Sequence, residues 1–312
     1  MSNGEFTAIG IDVGGTKTAA GVVTFPEGCV HARRQIPTDP GRGGEAVLKD
    51  VLQLARELVG EARSANLQID AVGLGVCELV NLAGEVVSAN CVAWRGLPVR
   101  ERFAAIAPAC VEADVRAAAL AEAMFGAGRG RKIFLYVTIG TGIASCLVID
   151  GQPFTGARGA TGTVASSPLP HLAPLWETDP ATTLEQIGAG PALAARFNQL
   201  HGSAQSGQEV IAAAVTGNAY ALRVVRSAGE AVGATLAWLV NVLDPESVVI
   251  GGGLGLSDGP YWESLVASTR KHIWSDIHRD LPIVKAATGA DAGIIGAAAA
   301  SWLKTRAKSG QN

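Results

Sequence analysis

The sequence runs to 312 residues, 48% of them hydrophobic and 17% charged, which is enough for two domains or one large one and excludes a disordered chain. A net charge of −3 and an aromatic content of 5% leave neither a basic face nor a stacking platform, so nucleic acid is not an expected partner. The 39 glycines call for tight turns and for backbone brought close to a ligand or to other backbone.

In chain order, residues 7–12 (TAIGID) form an apolar strand ending on an acid, 13–16 (VGGT) a tight turn, and 18–24 a returning strand. A dinucleotide fold would need a helix after these glycines, so that reading is set aside. Residues 45–65 carry a helical apolar stripe through Leu48, Val51, Leu52, Leu58 and Val59. Residues 70–76 are a buried strand, 86–90 a short extended piece before a loop containing Trp94, and 108–112 a strand leading to Asp114. Residues 115–125 are strongly helical and stop at Gly126. Residues 133–138, 139–142 and 143–149 repeat the opening pattern of strand, Gly-Thr turn and strand. Residues 168–182 are Pro-rich and irregular, 184–198 and 207–243 are mainly helical, 247–250 are a strand followed by a glycine cluster, and 292–304 are an Ala-rich helix.

The five cysteines (Cys29, Cys77, Cys91, Cys110 and Cys146) are scattered, odd in number and without CxxC spacing, as expected of reduced thiols in a cytoplasmic protein. Neither a secretory leader nor a membrane-spanning run is read, so no membrane partner is expected.

Several segments carry chemistry. Asp12, Gly14, Gly15, Thr16 and Lys17 offer open backbone amides, a hydroxyl and a cation to a polyphosphate, with Asp12 placed to hold Mg²⁺ through water. The segment is not a Walker A loop, which needs Gly next to Lys. Thr138, Gly140, Thr141 and Gly142 form a second turn of the same kind. Gly251, Gly252 and Gly253, after a strand, let a flat group such as adenosine lie against the backbone; a dinucleotide site is the weaker alternative, because the spacing is not that of a Rossmann fingerprint. Asp114 sits at a helix start, where it serves as an N-cap and where the positive helix end is expected to keep it ionised and ready to take a hydroxyl proton.

Taken in order, IDVGGTKTAAGVV, VEADVRAAALAEAMFGAG, YVTIGTGI, GARGATG, LEQIGAGPAL, NVLDPESVVIGGG and AGIIGAAA resemble the ROK family of repressors, uncharacterised reading frames and sugar kinases over about residues 7–304. The resemblance implies a two-domain α/β actin-like ATPase (ribonuclease H-like) fold with an interdomain cleft lined by both turns. The smaller domain would hold residues 1–113 and about 291–312, the larger 114–290. It also implies ATP, Mg²⁺, a homodimer, and transfer of phosphate to a sugar hydroxyl; the departures described next make a cyclitol hydroxyl an acceptor as well. Asp114 matches the family's catalytic aspartate, and Asn90 and Glu185 match sugar-contacting residues. A regulator of the family would carry a DNA-binding segment before the first strand, and none is expected here. A catalytically weakened sugar sensor is the main alternative.

The departures fall on the substrate side. Ala113 stands where the family has a sugar-binding Asn. Thr163 and Ser166 replace a Glu and a His. Residues 168–183 stand in place of the Cys-rich zinc knot, and His171 alone cannot make a site, so no metal other than Mg²⁺ and no zinc is expected. Cys77-Glu78 replaces Pro-Gly, and Glu78 is a candidate partner for the ammonium of an amino sugar or aminocyclitol.

Overall fold

The computed structural model describes residues 6–166, 168, 182–200 and 203–309. The segment expected to replace a zinc knot lies mostly outside the described residues, and His171 with it. The chain forms two compact units: Met1–Gly130 with Val148–Thr161 and Ala287–Asn312, and Arg131–Leu147 with Gly162–Ala286.

The first unit is built on a five-stranded sheet of order β3-β2-β1-β4-β5. Its strands are β1 (Phe6–Val13), β2 (Lys17–Phe25), β3 (Cys29–Pro37), β4 (Ala71–Val76) and β5 (Ala109–Ala113). β1, β2 and β3 pair antiparallel, whereas β1, β4 and β5 run parallel. The two-residue period of β1 sends Ile9, Ile11 and Val13 to one face and Ala8 to the other. The first face is covered by α1 (Gly44–Ser64) through Val47, Leu48, Val51 and Leu58. Buried Trp94 joins this core and donates its indole N–H to Gly44 O at 2.9 Å. The other face carries small side chains and receives α3 (Asp114–Phe125) and the last helix, Ala292–Ser309, whereas α2 (Val99–Ala104) lies at the edge strand β5 and adds Val99 and Phe103 to the core under α1. The last helix comes so close that a Cβ on Gly73 would stand 1.8 Å from Ala297 O.

The boundary between units falls at 130/131 instead of 113/114. The reason is that α3 is a run of small residues buried against the last helix and β4 of the first unit. β3 is an edge strand the sequence pattern does not reveal, because its residues alternate between half-buried and exposed with no apolar period.

The second unit repeats the plan. β6 (Ile133–Ile139) and β7 (Ile143–Ile149) neighbour one another, and the chain from Val148 onward, with the short β8 (Gln152–Pro153), is counted with the first unit. β9 (Ser247–Gly251) pairs parallel with β6, and β10 (Ile283–Lys285) pairs parallel with β9. The helical stretches resolve into α4 (Glu185–Gly188), α5 (Gly190–Leu200), α6 (Gly207–Val215) and α7 (Ala219–Leu243), followed by α8 (Pro260–His272) and α9 (Asp276–Arg279). The last helix of the chain is then α10 (Ala292–Ser309). Real N-caps set the breaks: the Ser206 hydroxyl accepts from Glu209 N, and the Asn218 side chain accepts from Tyr220 N and Ala221 N. No helix among the described residues is long and apolar enough to cross a membrane.

Candidate functional site

In the first unit the β1–β2 turn is pinned from behind. Gly14 N donates to Lys17 O at 3.0 Å, the Thr38 hydroxyl donates to Gly14 O at 2.7 Å, and Thr38 N donates to Thr16 O at 3.1 Å. Gly14 and Gly15 are half-buried, while Thr16 and Lys17 are exposed and free to meet a ligand. Asp12, the second-last residue of β1, is half-buried. Burial pushes its carboxyl up to about 6, against the pull of Lys17.

Asp114 opens α3 at the end of β5, next to the end of β4: a Cβ on Gly75 would lie 3.5 Å from its Cα. The N-cap position is taken by Ala113, and Asp114 is the first helical residue, its carboxylate accepting from Val115 N at 2.6 Å. The expectation that the helix end keeps Asp114 ionised is corrected. Burial first, and the neighbouring Asp12 second, push it up to about 7, with the Val115 N–H opposing and Cys91 and Glu78 adding smaller pushes. Two carboxylates share a poorly solvated corner, and one N–H at a helix start does not offset that cost.

The reading of Glu78 as a partner for a substrate ammonium is also corrected. The side chain is 5% exposed and turned inward. One carboxylate oxygen accepts from Asn90 N at 2.9 Å and from the Ser88 hydroxyl; the other accepts from Cys91 N at 2.5 Å and Val92 N at 2.7 Å. Asn90 itself is exposed, and its side-chain amide has no protein hydrogen-bond partner among the described residues.

Two residues to which the sequence reading gave no role at the site complete this corner. Cys91 lies so close to the first turn that a Cβ on Gly15 would stand 2.5 Å from its sulfur. Arg116, 3% exposed, pairs with Glu112 and donates to Gly159 O at 2.8 Å and Val80 O at 2.7 Å, which anchors the start of α3. The opposite charges at i and i+4 in Glu112 and Arg116 were the available signal for the second. Nothing in the sequence marks the first.

In the second unit the other two glycine segments come together. Thr138 is paired with Gly251 across β6 and β9. Gly140 N donates to Gly142 O at 2.9 Å, and Gly140 O accepts from Gly190 N at 2.8 Å. Leu254 N and Gly255 N donate to Ile139 O, which folds residues 251–255 onto the turn. Gly252 has φ 81°, and a Cβ there would stand 2.4 Å from Ile139 O, so both conformation and space demand glycine. Thr141 is exposed at the tip. Glu185 accepts from Ile143 N at 3.0 Å and lies 2.9 Å from where a Cβ on Gly142 would be, so it supports the second turn. Thr163 and Ser166 are both exposed at the short turn Val164–Ser166, and neither side chain has a protein hydrogen-bond partner among the described residues. That segment hangs on β7 through Ser145, whose N–H and hydroxyl both reach Gly162 O. No cluster of three or more His, Cys, Asp or Glu that could hold a metal ion occurs among the described residues.

Two α/β units, each opening on a strand–glycine turn–strand, define a protein of the actin-like, hexokinase-type fold class. The chain belongs to the ROK family, whose sequence profile matches residues 8–305. It is 31% identical over 298 residues to the bifunctional enzyme NanE/NanK of Brucella melitensis biotype 1, covering 93% of this chain and 53% of that protein; it thus spans about half the length of this relative. Among solved structures, it is similar to the ROK hexokinase from Thermus thermophilus, with 32% identity, TM-score 0.77, and 96% and 99% of the two chains covered. It is likewise similar to a ROK family glucokinase from Streptomyces griseus in complex with glucose and AMPPNP, with 26% identity, TM-score 0.78, and coverage of 95% and 99%.

Proposed function

We propose that this protein is an ATP-dependent kinase that phosphorylates a hydroxyl of a neutral, hydroxylated ring: a hexose, an N-acylated hexosamine or a cyclitol. The observation that carries the reading is Asp114, a half-buried carboxylate held beside Asp12 and pushed up to about 7. A general base works best when its pKa lies near the working pH. The kinase names and the AMPPNP complex among the similar proteins support the same reaction class.

The residues present fit a nucleotide and a hard divalent cation. Gly140 and Gly253 leave backbone open, a Cβ on either meeting no protein atom nearer than 3.5 Å, Lys17 is exposed beside the first turn, and Asp12 is an oxygen donor at its strand end. Mg²⁺ needs only one or two protein carboxylates, since it retains water and phosphate ligands. Within the second unit Thr138, Gly140, Thr141 and Gly142 would hold phosphate and Gly251–Gly253 the adenosine; within the first, Gly14, Gly15, Thr16 and Lys17 offer amides, a hydroxyl and a cation to phosphate, and Asp12 an oxygen to the cation. When bound, ATP and Mg²⁺ supply the transferable phosphoryl group and offset its charge. Asp114 orients the acceptor hydroxyl and takes its proton on a carboxylate oxygen.

With Glu78 consumed internally, the site offers no carboxylate for an ammonium at that position. Ala113, Thr163 and Ser166 supply fewer strong hydrogen bonds than the Asn, Glu and His of the family pattern, which disfavours glucose. By the same resemblance the protein acts as a homodimer, and its scattered cysteines suit the cytoplasm. The test is ADP release over a panel of glucose, N-acylated hexosamines, free aminohexoses and cyclitols. A neutral ring other than glucose giving the highest kcat/KM is expected. Glucose or a free aminohexose coming out best would overturn the substrate reading, and no ADP release with any acceptor would overturn the kinase reading.

A further inference from the structure

We propose that Glu78 is a positioning residue for the acceptor: it presents the Asn90 amide to the ring by clamping the backbone of residues 88–92. The proposal rests on the kinase reading above. A carboxylate has two oxygens with about four acceptor positions. Here all four are taken by the protein's own donors, three consecutive backbone N–H groups (Asn90, Cys91 and Val92) and the Ser88 hydroxyl. Hydrogen bonds to an ionised acceptor are the strong kind, and burial strengthens them further.

Three successive amides converging on one point fix the path of the chain there. The clamp is closed on both sides. The Ser88 hydroxyl also accepts from Leu79 N at 2.8 Å, so residues 79–88 leave and return to the same place, with Val80 and Val86 bridged between them. Beyond residue 92, buried Trp94 ties the chain to the start of α1.

Between residues 88 and 92 one polar side chain projects away from the clamp. Asn90 is exposed and has no protein hydrogen-bond partner among the described residues, although its own N–H is held by Glu78. Its neighbour Cys91 packs onto Gly15 of the first turn, and both Cys91 and Glu78 act electrostatically on Asp114. The free amide is therefore carried by a clamped backbone at the corner that also holds the catalytic carboxylate. An amide offers two donors and an acceptor, which suits a ring hydroxyl. Positioning it in advance spares the ordering cost on binding.

The test compares wild type with Glu78→Gln, Asn90→Ala and the double variant. Glu78→Gln keeps the shape but turns an NH₂ toward N–H donors, so the segment loses its common acceptor. Acceptor KM is expected to rise at least about tenfold in Glu78→Gln, with ATP KM within about twofold and kcat within about threefold. Asn90→Ala should give a similar rise, and the double variant little more than either, because one residue acts through the other. An acceptor KM within twofold of wild type, a parallel rise in ATP KM, or fully additive effects would each overturn the proposal. Ser88→Ala, which removes a single donor, serves if Glu78→Gln does not fold; the same split is expected at about fivefold. If wild type releases no ADP with any acceptor, the kinase reading fails, and sugar-induced thermal shift decides the positioning role. A shift seen in wild type and lost in Glu78→Gln, with the ATP-induced shift kept, supports it; a shift kept in Glu78→Gln, or no shift in wild type, overturns it.

Discussion

Replacing Asp114 with Asn separates its catalytic role from its structural one. Asn keeps the shape and an oxygen for the Val115 N–H. It cannot take a proton, so turnover should fall by about 10²-fold or more. Stability should move the opposite way. A carboxyl raised from its ordinary 3.8 to about 7 binds its proton more tightly in the folded chain than in the unfolded one. The wild-type protein therefore has the full contribution of this group below pH 4 and loses it as pH rises through about 7. At about 1.4 kcal/mol per pH unit the whole displacement corresponds to about 4 kcal/mol. Solvent reaches this half-buried group and screens most of that, leaving about 1–2 kcal/mol, or about 3–6 °C in Tm. Asp114→Asn should thus melt higher than wild type at pH 8, with the difference closing toward pH 4. The assays are ADP release and thermal melts from pH 4 to 8. Wild-type kcat/KM should also fall on the acid side of about pH 7 as the base is protonated. Turnover near wild type in Asp114→Asn, or a Tm at pH 8 equal to or below wild type, would refute the reasoning.

Gly252→Ala forces a side chain into left-handed backbone against Ile139 O, and should raise ATP KM at least about tenfold while leaving acceptor KM within a few-fold, as read by steady-state kinetics. Glu122→Ala removes a fully buried carboxylate that accepts from Ala127 N, Ala287 N, and Thr288 N and hydroxyl, and should cost about 3–5 kcal/mol in urea unfolding. Metal analysis of the purified protein should find no stoichiometric zinc, because a structural site needs four ligands and the segment that replaces the zinc knot offers a single His and no Cys.

Much of the architecture could be read directly from the chain. The strand–glycine turn–strand pattern around Gly14–Gly15 and again around Gly140–Gly142 marks both units, since a turn that short needs glycine whatever surrounds it. Apolar periodicity located α1, β4 and β6, whose burial follows a simple stripe or run. β3, α2 and β10 were not legible: their residues are largely half-buried or exposed, and their pairing or packing comes from neighbours far along the chain.

The candidate site divides the same way. Residue types and spacing, together with the family resemblance, pointed to Asp12, Asp114 and the glycine turns, because the chemistry of phosphate binding and proton transfer calls for those groups. Protonation and direction were decided by the tertiary structure. Asp114 lies high because folding buries it beside Asp12, a neighbour about a hundred residues away. Glu78 turns inward because three backbone amides 12–14 residues further on converge on it. Glu185 supports the second turn because α4 brings it against Ile143 N. A side chain's identity states what it can donate or accept, but its desolvation and its partners are set by distant segments, and those are fixed only when the chain closes on itself.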